Sequence, residues 1–401
     1  MAEELADQPI KVAELAEGRE FVFTPEQQQL RTAVRKFCAD NIDETAVRRL
    51  MESETRFDPA VWRRLGSELG VLGMAVPESD GGAGGSLVDQ AIAVEEFGSA
   101  LSCGPLFGTV YLAIPALVAC PSGAVREELL AALVDGERTA AFAVVDSAGA
   151  FDPSKVTVTA DGDTLTGTVN QVVDGDAADV ILLAAKGSGG VSLYAVDGES
   201  AGVQRTALVT MDLTRPQATV VLDNAQARLL AGPEEAERVI THALQVGSAL
   251  LAIEQVGAAQ HLLDLSVEYA KSRLQFGRQI GSFQAIKHKL ADMLVDLEHA
   301  RSTAYHAVWA LTDGTDDPAL AVSIAQATCS AAFSRIAADA IQVHGGIGFT
   351  WEHQAHLYFK RAATNAALLG NAEEHRCRVA DLVLDTAVAH TGAVPVAAGR
   401  P

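Results

Sequence analysis

Residues 269–293, YAKSRLQFGRQIGSFQAIKHKLADM, decide how the rest of the chain is read, because a helix end, a glycine break and a new helix fall within one short stretch. Leu274, Phe276 and Gly277 close an apolar helical run that begins near Pro233. Gly277 supplies the permissive backbone for that stop, and Ser282 is placed to cap the helix that follows. Between the two helices stand Arg273, Gln275, Arg278 and Gln284. Cations and amides gathered at a helix junction can clamp a diphosphate bidentately or hydrogen-bond an adenosine edge. The same residues also read as the solvated surface of an ordinary turn.

Working outward, a chain of 401 residues exceeds one small core. At roughly 150 residues per domain it divides into two or three units. Hydrophobic residues make up 49% of it, which suffices for a sizeable interior. The balance of 52 acidic against 30 basic residues, a net charge of −22, argues against nucleic acid and anionic membranes as partners, since both need a basic footprint. It does not exclude an anionic small molecule, because a local arginine cluster acts within a Debye length of roughly 8 Å. Cys38, Cys103, Cys120, Cys329 and Cys377 are odd in number and scattered, so neither a disulfide framework nor a zinc site is indicated. The N-terminus, MAEELADQPIKVAELAEGRE, lacks the basic-then-apolar pattern of a secretory signal. No run of about 20 apolar residues is read, and a soluble cytoplasmic protein is expected.

The first firm element begins at Thr24-Pro25-Glu26-Gln27, with Thr24 as cap, Pro25 at the first helical position and Gln27 completing a capping box. Leu30, Val34, Phe37 and Ile42 then follow near helical spacing. A second helix starts at Asp58-Pro59. The glycine-rich loop 76–86 has no preceding strand and no Walker lysine, so it reads as a connection between helices rather than a phosphate cradle. Ser86 and Asp89 open another helix that Gly98 is expected to stop, and further helical runs occupy about 104–134. Near Ala140 the period changes from 3.6 to 2. Short strands follow through Leu222, with Asp161-Gly162 as a hairpin turn. The helical period returns near Pro233 and lasts to about Ala389, in four or five long helices. Periodicity alone gives a mixed α+β protein.

The arrangement Tyr269-Ala-x-x-Arg273-x-Gln275-Phe276-Gly277-x-x-Ile280-x-x-Phe283-Gln284-x-x-x-His288-x-Leu290-Ala291-Asp292-Met293 resembles the FAD-binding signature of the acyl-CoA dehydrogenase family. A second piece, Gln342-Val-His-Gly345-Gly346-Ile-Gly348-Phe349-Thr, resembles that family's second flavin motif. The likeness runs from about Phe23 to Leu384. It implies an α+β fold of acyl-CoA dehydrogenase type: a flexible leader over 1–22, an N-terminal helical domain over 23–138, a middle β-barrel-like domain over 139–231, a C-terminal four-helix bundle over 232–390 and a tail over 391–401. The glycine loop 76–86 is similar to one the family carries at the same point.

The resemblance also implies FAD at a subunit interface. Arg273 is nominated for the diphosphate, Phe276 for packing on the cofactor and Gln284 for a polar contact, while Gln342, Gly345 and Gly346 bring backbone close to the adenine half. The Gly345–Gly348 loop reads equally as a plain helix cap followed by a turn, and His344 as a structural histidine. The implied reaction is α,β-dehydrogenation of an acyl-CoA thioester: a carboxylate takes the α-proton, hydride leaves the β-carbon for the flavin, and the thioester carbonyl is hydrogen-bonded. The implied partners are an acyl-CoA substrate, an electron-transfer flavoprotein as acceptor, and copies or a sister chain forming a homotetramer or heterotetramer.

Here the chain departs from the pattern. The usual catalytic glutamate falls on Gly370, and the alternative position used by a subgroup falls on Gly247. Glu254 is the remaining candidate base on that helix, on nearly the same face as Gly247 but roughly 10 Å along the axis. It reads alternatively as a buried polar contact at a helix interface. Glu373 and Glu374 read as first-turn acids of a helix. Two flavin-ring contacts are also altered: Val144-Val145-Asp146-Ser147 replaces a Thr-Glu-Pro run, and Gln171-Val172-Val173-Asp174 replaces a Trp-Ile-Thr/Ser-Asn run. Three functions remain open: a dehydrogenase for a bulky or steroid-derived acyl-CoA, a non-catalytic partner subunit of a heterotetrameric dehydrogenase, or a flavin monooxygenase-like relative that needs no α-proton base.

Overall fold

The computed structural model describes residues 23–144, 146, 147, 150–314 and 316–390. The leader over 1–22, the tail over 391–401 and Val145 lie outside the described residues.

The N-terminal layer is helical. Thr24 and Gln27 exchange both capping-box bonds at the start of α1 (Pro25–Asn41). Asp43 caps a short α2 (Glu44–Leu50), an element that the apolar spacing through Ile42 did not separate from α1. Asp58 caps α3 (Pro59–Ser67), and Ser86 with Asp89 forms a second capping box on α4 (Leu87–Ser99). Gly98 does not stop α4 as expected. It lies inside the helix, where a Cβ would stand 2.2 Å from the Glu254 carbonyl oxygen. Its counterpart Gly257 would place a Cβ 1.9 Å from the carbonyl oxygen of Glu95, so the two helices cross with their backbones in contact. A π-helical segment, Leu106–Ala113, leads into α5 (Ile114–Ala119), and α6 (Ala124–Val134) completes the layer. The glycine-rich loop before α4 is fastened by Asp80, which accepts two bonds from the Arg126 guanidinium.

The middle of the chain is an eight-stranded sheet. It contains β1 (Ala140–Ala143), β4 (Thr159–Asp161), β5 (Thr164–Val173), β6 (Val180–Gly187), β7 (Gly190–Asp197), β8 (Val203–Ala207), β9 (Gln217–Gln226) and β10 (Arg228–Ala231). The short pair β2 (Asp146–Ser147) and β3 (Ala150–Phe151) stands apart. The path runs β10-β7-β6-β4-β5-β9-β8, and β1 joins β6 in parallel. Alternate residues of β6 serve different interiors. Val180, Leu182 and Ala184 belong to the main core shared with the helices, whereas Ile181, Leu183 and Ala185 join Leu165, Val196, Val220 and Leu222 in a separate core that the sheet curls around. A strand buried on both faces reads as a continuous apolar run, which is what VILLAA is.

Five helices follow: α7 (Ala236–Ser272), α8 (Gln284–Asp313), α9 (Pro318–His344), α10 (Ala355–Asn365) and α11 (Ala372–His390). Windows of α7 and of Pro318–Phe349 reach a mean hydropathy of 1.3 and 1.2, enough by length and composition to span a membrane, although no such run was read in the sequence. Burial of 83% and 61% of those windows inside the fold makes them core helices.

The stretch 269–293 departs from expectation in two respects. The α7 helix ends at Ser272, and Leu274–Gln275 pairs with Arg278–Gln279 as a small antiparallel ribbon, β11 and β12. Phe276 (φ +55) and Gly277 (φ +76) form its tip. Two consecutive positive φ angles are the geometry of a tight hairpin turn, so Gly277 serves a hairpin rather than a helix end. Ser282 does not cap α8 either: its hydroxyl donates to the Gln279 carbonyl, and Phe283 occupies the cap position.

Candidate functional site

Two regions carry the residues of interest. The first is the end of the bundle where residues 269–284 meet the end of α9. The Tyr269 and His344 rings lie 4.5 Å apart, and Ala270, Ile280 and Val343 form a small apolar cluster beneath them. The two motifs, far apart in sequence, are thus one surface. Phe276 is 90% exposed at the ribbon tip, edge-on to Phe283 at 6.1 Å. The Arg278 guanidinium lies 4.0 Å over the Phe283 ring. Arg273, Gln284 and Gln342 are exposed, and among the described residues neither Arg273 nor Arg278 has an ion-pair partner. Gly345 ends α9 as a cap, and a Cβ added at Gly345 or Gly346 would meet no atom within 4 Å. His344 is buried, bonded through Nδ1 to the Ala340 carbonyl, and burial holds its pKa below the usual imidazole value.

The second region is a cavity of about 400 Å³ between the sheet and the helices. Phe107 and Leu112 of the π-helical segment, Leu244 of α7 and the turn 367–369 form one side, and β1 and β5 form the other. Its polar groups are Thr157, Thr168, Asn170 and Gln171. Among the described residues, none that lines it is ionisable.

Both positions named for a base stand beside this cavity without supplying one. Gly370 (φ +93) follows Leu369 (φ +56) in a left-handed turn that favours glycine, held by His375 Nε2 against the Leu369 carbonyl at 2.9 Å. Gly247 packs under Leu112, whose Cδ2 would lie 2.4 Å from an added Cβ. Glu373 and Glu374 sit in the first turn of α11, their amides capped by Asn371.

Glu254 is 2% exposed and does not line the cavity. Its Oε2 accepts from Arg215 Nη2 (2.6 Å) and from the Tyr111 hydroxyl (2.9 Å). Its Oε1 accepts from Arg361 Nη1 (3.0 Å) and Asn365 Nδ2 (3.1 Å). Arg361 also bonds Asp212 and Thr214, and Arg215 bonds Asn365 and covers the Phe107 ring at 5.1 Å. Burial by itself would raise the Glu254 pKa, but Arg215 and Arg361 outweigh it and hold the group down to about 2. A carboxylate with four donors and so low a proton affinity is a poor general base, which argues against the catalytic reading of Glu254. None of Arg215, Arg361, Asp212 and Asn365 is assigned a role from the sequence, because each lies in a loop or a short helix outside the two flavin motifs. The one available signal was the TRP run at 214–216 ahead of a strand.

Asp174, on the far side of the cavity wall, is a further buried carboxyl. It accepts from the Gly108 amide at 3.0 Å, and burial pushes its pKa up to about 7 against that bond and the charge of Arg215.

Comparison with known proteins gives these features a context. A family model described as Acyl-CoA dehydrogenase, N-terminal domain, matches residues 24–137, and one described as Acyl-CoA dehydrogenase, C-terminal domain, matches residues 237–384. The chain is 38% identical over 349 residues to the acyl-CoA dehydrogenase IpdE2 of Mycobacterium tuberculosis (strain ATCC 25618 / H37Rv), covering 87% of this chain and 94% of that relative. Among solved structures it is similar to the ChsE4-ChsE5 complex from Mycobacterium tuberculosis (TM-score 0.82, 30% identity, 94% of this chain and 100% of that one). It is also similar to the Tcur3481-Tcur3483 steroid ACAD G363A variant (TM-score 0.81, 30% identity, 90% and 99%).

Proposed function

Because this chain belongs to the acyl-CoA dehydrogenase family, we propose that it serves FAD-dependent α,β-dehydrogenation of a bulky or steroid-derived acyl-CoA as the base-lacking subunit of a hetero-oligomer. The observation that carries this reading is the cavity between sheet and bundle, which among the described residues has no ionisable group on its walls. Proton abstraction from the α-carbon needs a carboxylate in that space, and a sister chain would bring one in its own cavity. Similarity to a steroid ACAD and to a two-component complex supports both the substrate class and the pairing.

The residues fit the group that the family implies at its dinucleotide end. Arg273 and Arg278 are cations without an ion-pair partner among the described residues, Phe276 is a projecting aromatic, and Gly345 and Gly346 leave open the space a side chain would fill. Arg273 would hold the diphosphate, Gln284 and Gln342 would hydrogen-bond the cofactor, and Phe276 would cover an apolar face of it. The ring end fits as an apolar slot with neutral donors and acceptors only. When bound, FAD would supply the redox chemistry, with the β-hydride as its electron source and an electron-transfer flavoprotein as the acceptor. The chain's own contribution is to bind, orient and exclude water.

Absorption spectra of the chain alone, and of the chain co-expressed with an acyl-CoA dehydrogenase encoded beside it, test this. Flavin that bleaches with an acyl-CoA only in the co-expressed pair supports the reading. Bleaching by the lone chain overturns it. Oxygen uptake by reduced flavin without any thioester would assign the base-free cavity to a monooxygenase-like reaction instead.

A further inference from the structure

A second cavity, of about 180 Å³, lies on the other side of the π-helical segment. The segment is a shared wall: Phe107 and Leu112 line the larger cavity, Val110 this one, along with Ile114 just beyond it. Val118, Val246, Leu250 and Leu311 make the rest of it largely aliphatic. A pocket of roughly 150 Å³ with such walls takes a benzene-sized guest.

Three polar groups enter this chamber, and their unused bonding capacity has a definite character. Gln90 donates one amide hydrogen to the Val71 carbonyl (2.9 Å), which leaves its own carbonyl to accept and its second N–H to donate. Thr312 donates to the Val308 carbonyl (2.8 Å), which leaves its oxygen to accept. His242 has no hydrogen-bond partner among the described residues, and burial, followed by the nearby Arg238, lowers its pKa, so the ring is a neutral donor and acceptor. His242 is also the residue common to this chamber and an outer cleft beside it. In that cleft Glu234 and Glu237 have no ion pair among the described residues, while Arg238 is taken by Glu235 and the Ala119 carbonyl. The mouth is therefore acidic and disfavours an incoming anion.

We propose that this chamber is a binding site for a small neutral alcohol: a ring-sized hydrocarbon whose hydroxyl donates to Gln90 or Thr312 and accepts from His242. It stands apart from the flavin and acyl-CoA reading and requires neither.

Ligand-observed NMR titration of the full chain with cyclohexanol, methoxycyclohexane and cyclohexanecarboxylate tests the site. Saturable binding of cyclohexanol is expected, about tenfold tighter than its methyl ether, which cannot donate, with the carboxylate weaker still. Replacing both acceptors (Gln90→Leu with Thr312→Val) should shrink the preference for the alcohol over the ether, His242→Leu should weaken binding of both alike, and Val246→Phe should abolish binding of both. Should Val246→Phe fail to fold, Val118→Phe fills the same chamber from the opposite wall. Absence of saturable cyclohexanol binding, equal binding of the carboxylate, or binding unchanged by the filling variant would overturn the proposal.

Discussion

Leu112 rests on the backbone of Gly247 so closely that a Cβ added at the glycine would lie 2.4 Å from Leu112 Cδ2 and 3.2 Å from the Tyr111 carbonyl oxygen. The helix-borne position for a catalytic base is therefore filled by a neighbour's side chain as well as lacking its own. Gly247→Glu alone should destabilise the chain by about 3 kcal/mol, through overpacking and an unpaired buried charge, and leave the lone chain unable to bleach flavin. Adding Leu112→Ala should recover much of that loss. Thermal melts of the single and double variants check it, and equal stability of the two would contradict the plug.

Glu254 is the hub of a lock among three parts of the fold. Tyr111 reaches it from the helical layer, Arg215 from the approach to β9, and Arg361 and Asn365 from α10. Removing one partner of such a buried pair costs about 3–5 kcal/mol because the others are left uncompensated. Glu254→Gln should therefore shift the urea midpoint strongly, and Arg361→Met should do likewise. The folded pKa is depressed from 4.5 to about 2, so this contribution is complete above pH 4.5 and is lost as pH falls from there towards 2. A variant that kept wild-type stability from pH 5 to 7 would show the network to be dispensable.

What the residues disclosed before any coordinates follows from range. The capping box at Thr24–Gln27, the helix start at Ser86–Asp89, the proline starts at Pro25 and Pro59 and the strand over Ala218–Leu222 are local, and each is present. The turn at Phe276–Gly277 was misread because a glycine after an apolar helix signals a stop and a hairpin equally, and only pairing of Leu274 with Gln279 distinguishes them. Gly98 was misread for a related reason: its purpose is contact with Glu254, 156 residues away, and no local pattern reports a crossing. The lock around Glu254 was invisible on the same grounds, since its donors lie 39 to 143 residues distant.

Asp174 gives a pH dependence of opposite sign. Its folded pKa is raised from 3.8 to about 7, so the native state prefers the protonated acid, and the associated stability is present below pH 4 and lost as pH rises towards 7. The slope approaches about 1.4 kcal/mol per pH unit across that window. Asp174→Asn preserves the size of the group and removes the titration. It should raise the melting temperature at pH 8 and flatten the profile between pH 4 and 7. Parallel profiles for the two proteins would mean that Asp174 ionises freely.

Phe276 offers a separation of stability from binding. It is 90% exposed and sits at φ +55, a conformation that costs a bulky side chain about 1 kcal/mol, so nothing in this chain's own core rewards its presence. Phe276→Gly should leave the melting temperature unchanged or slightly higher, because glycine takes a positive φ without strain. The same variant in the co-expressed assembly should lose flavin, with cofactor retained through gel filtration falling about tenfold, since the apolar cover over the cofactor is gone. Arg273→Ala, likewise exposed, should lower retention with little change in melting. Retention unaltered in both variants would remove the ribbon tip from the cofactor site and leave its strained, exposed aromatic without a purpose in the present reading.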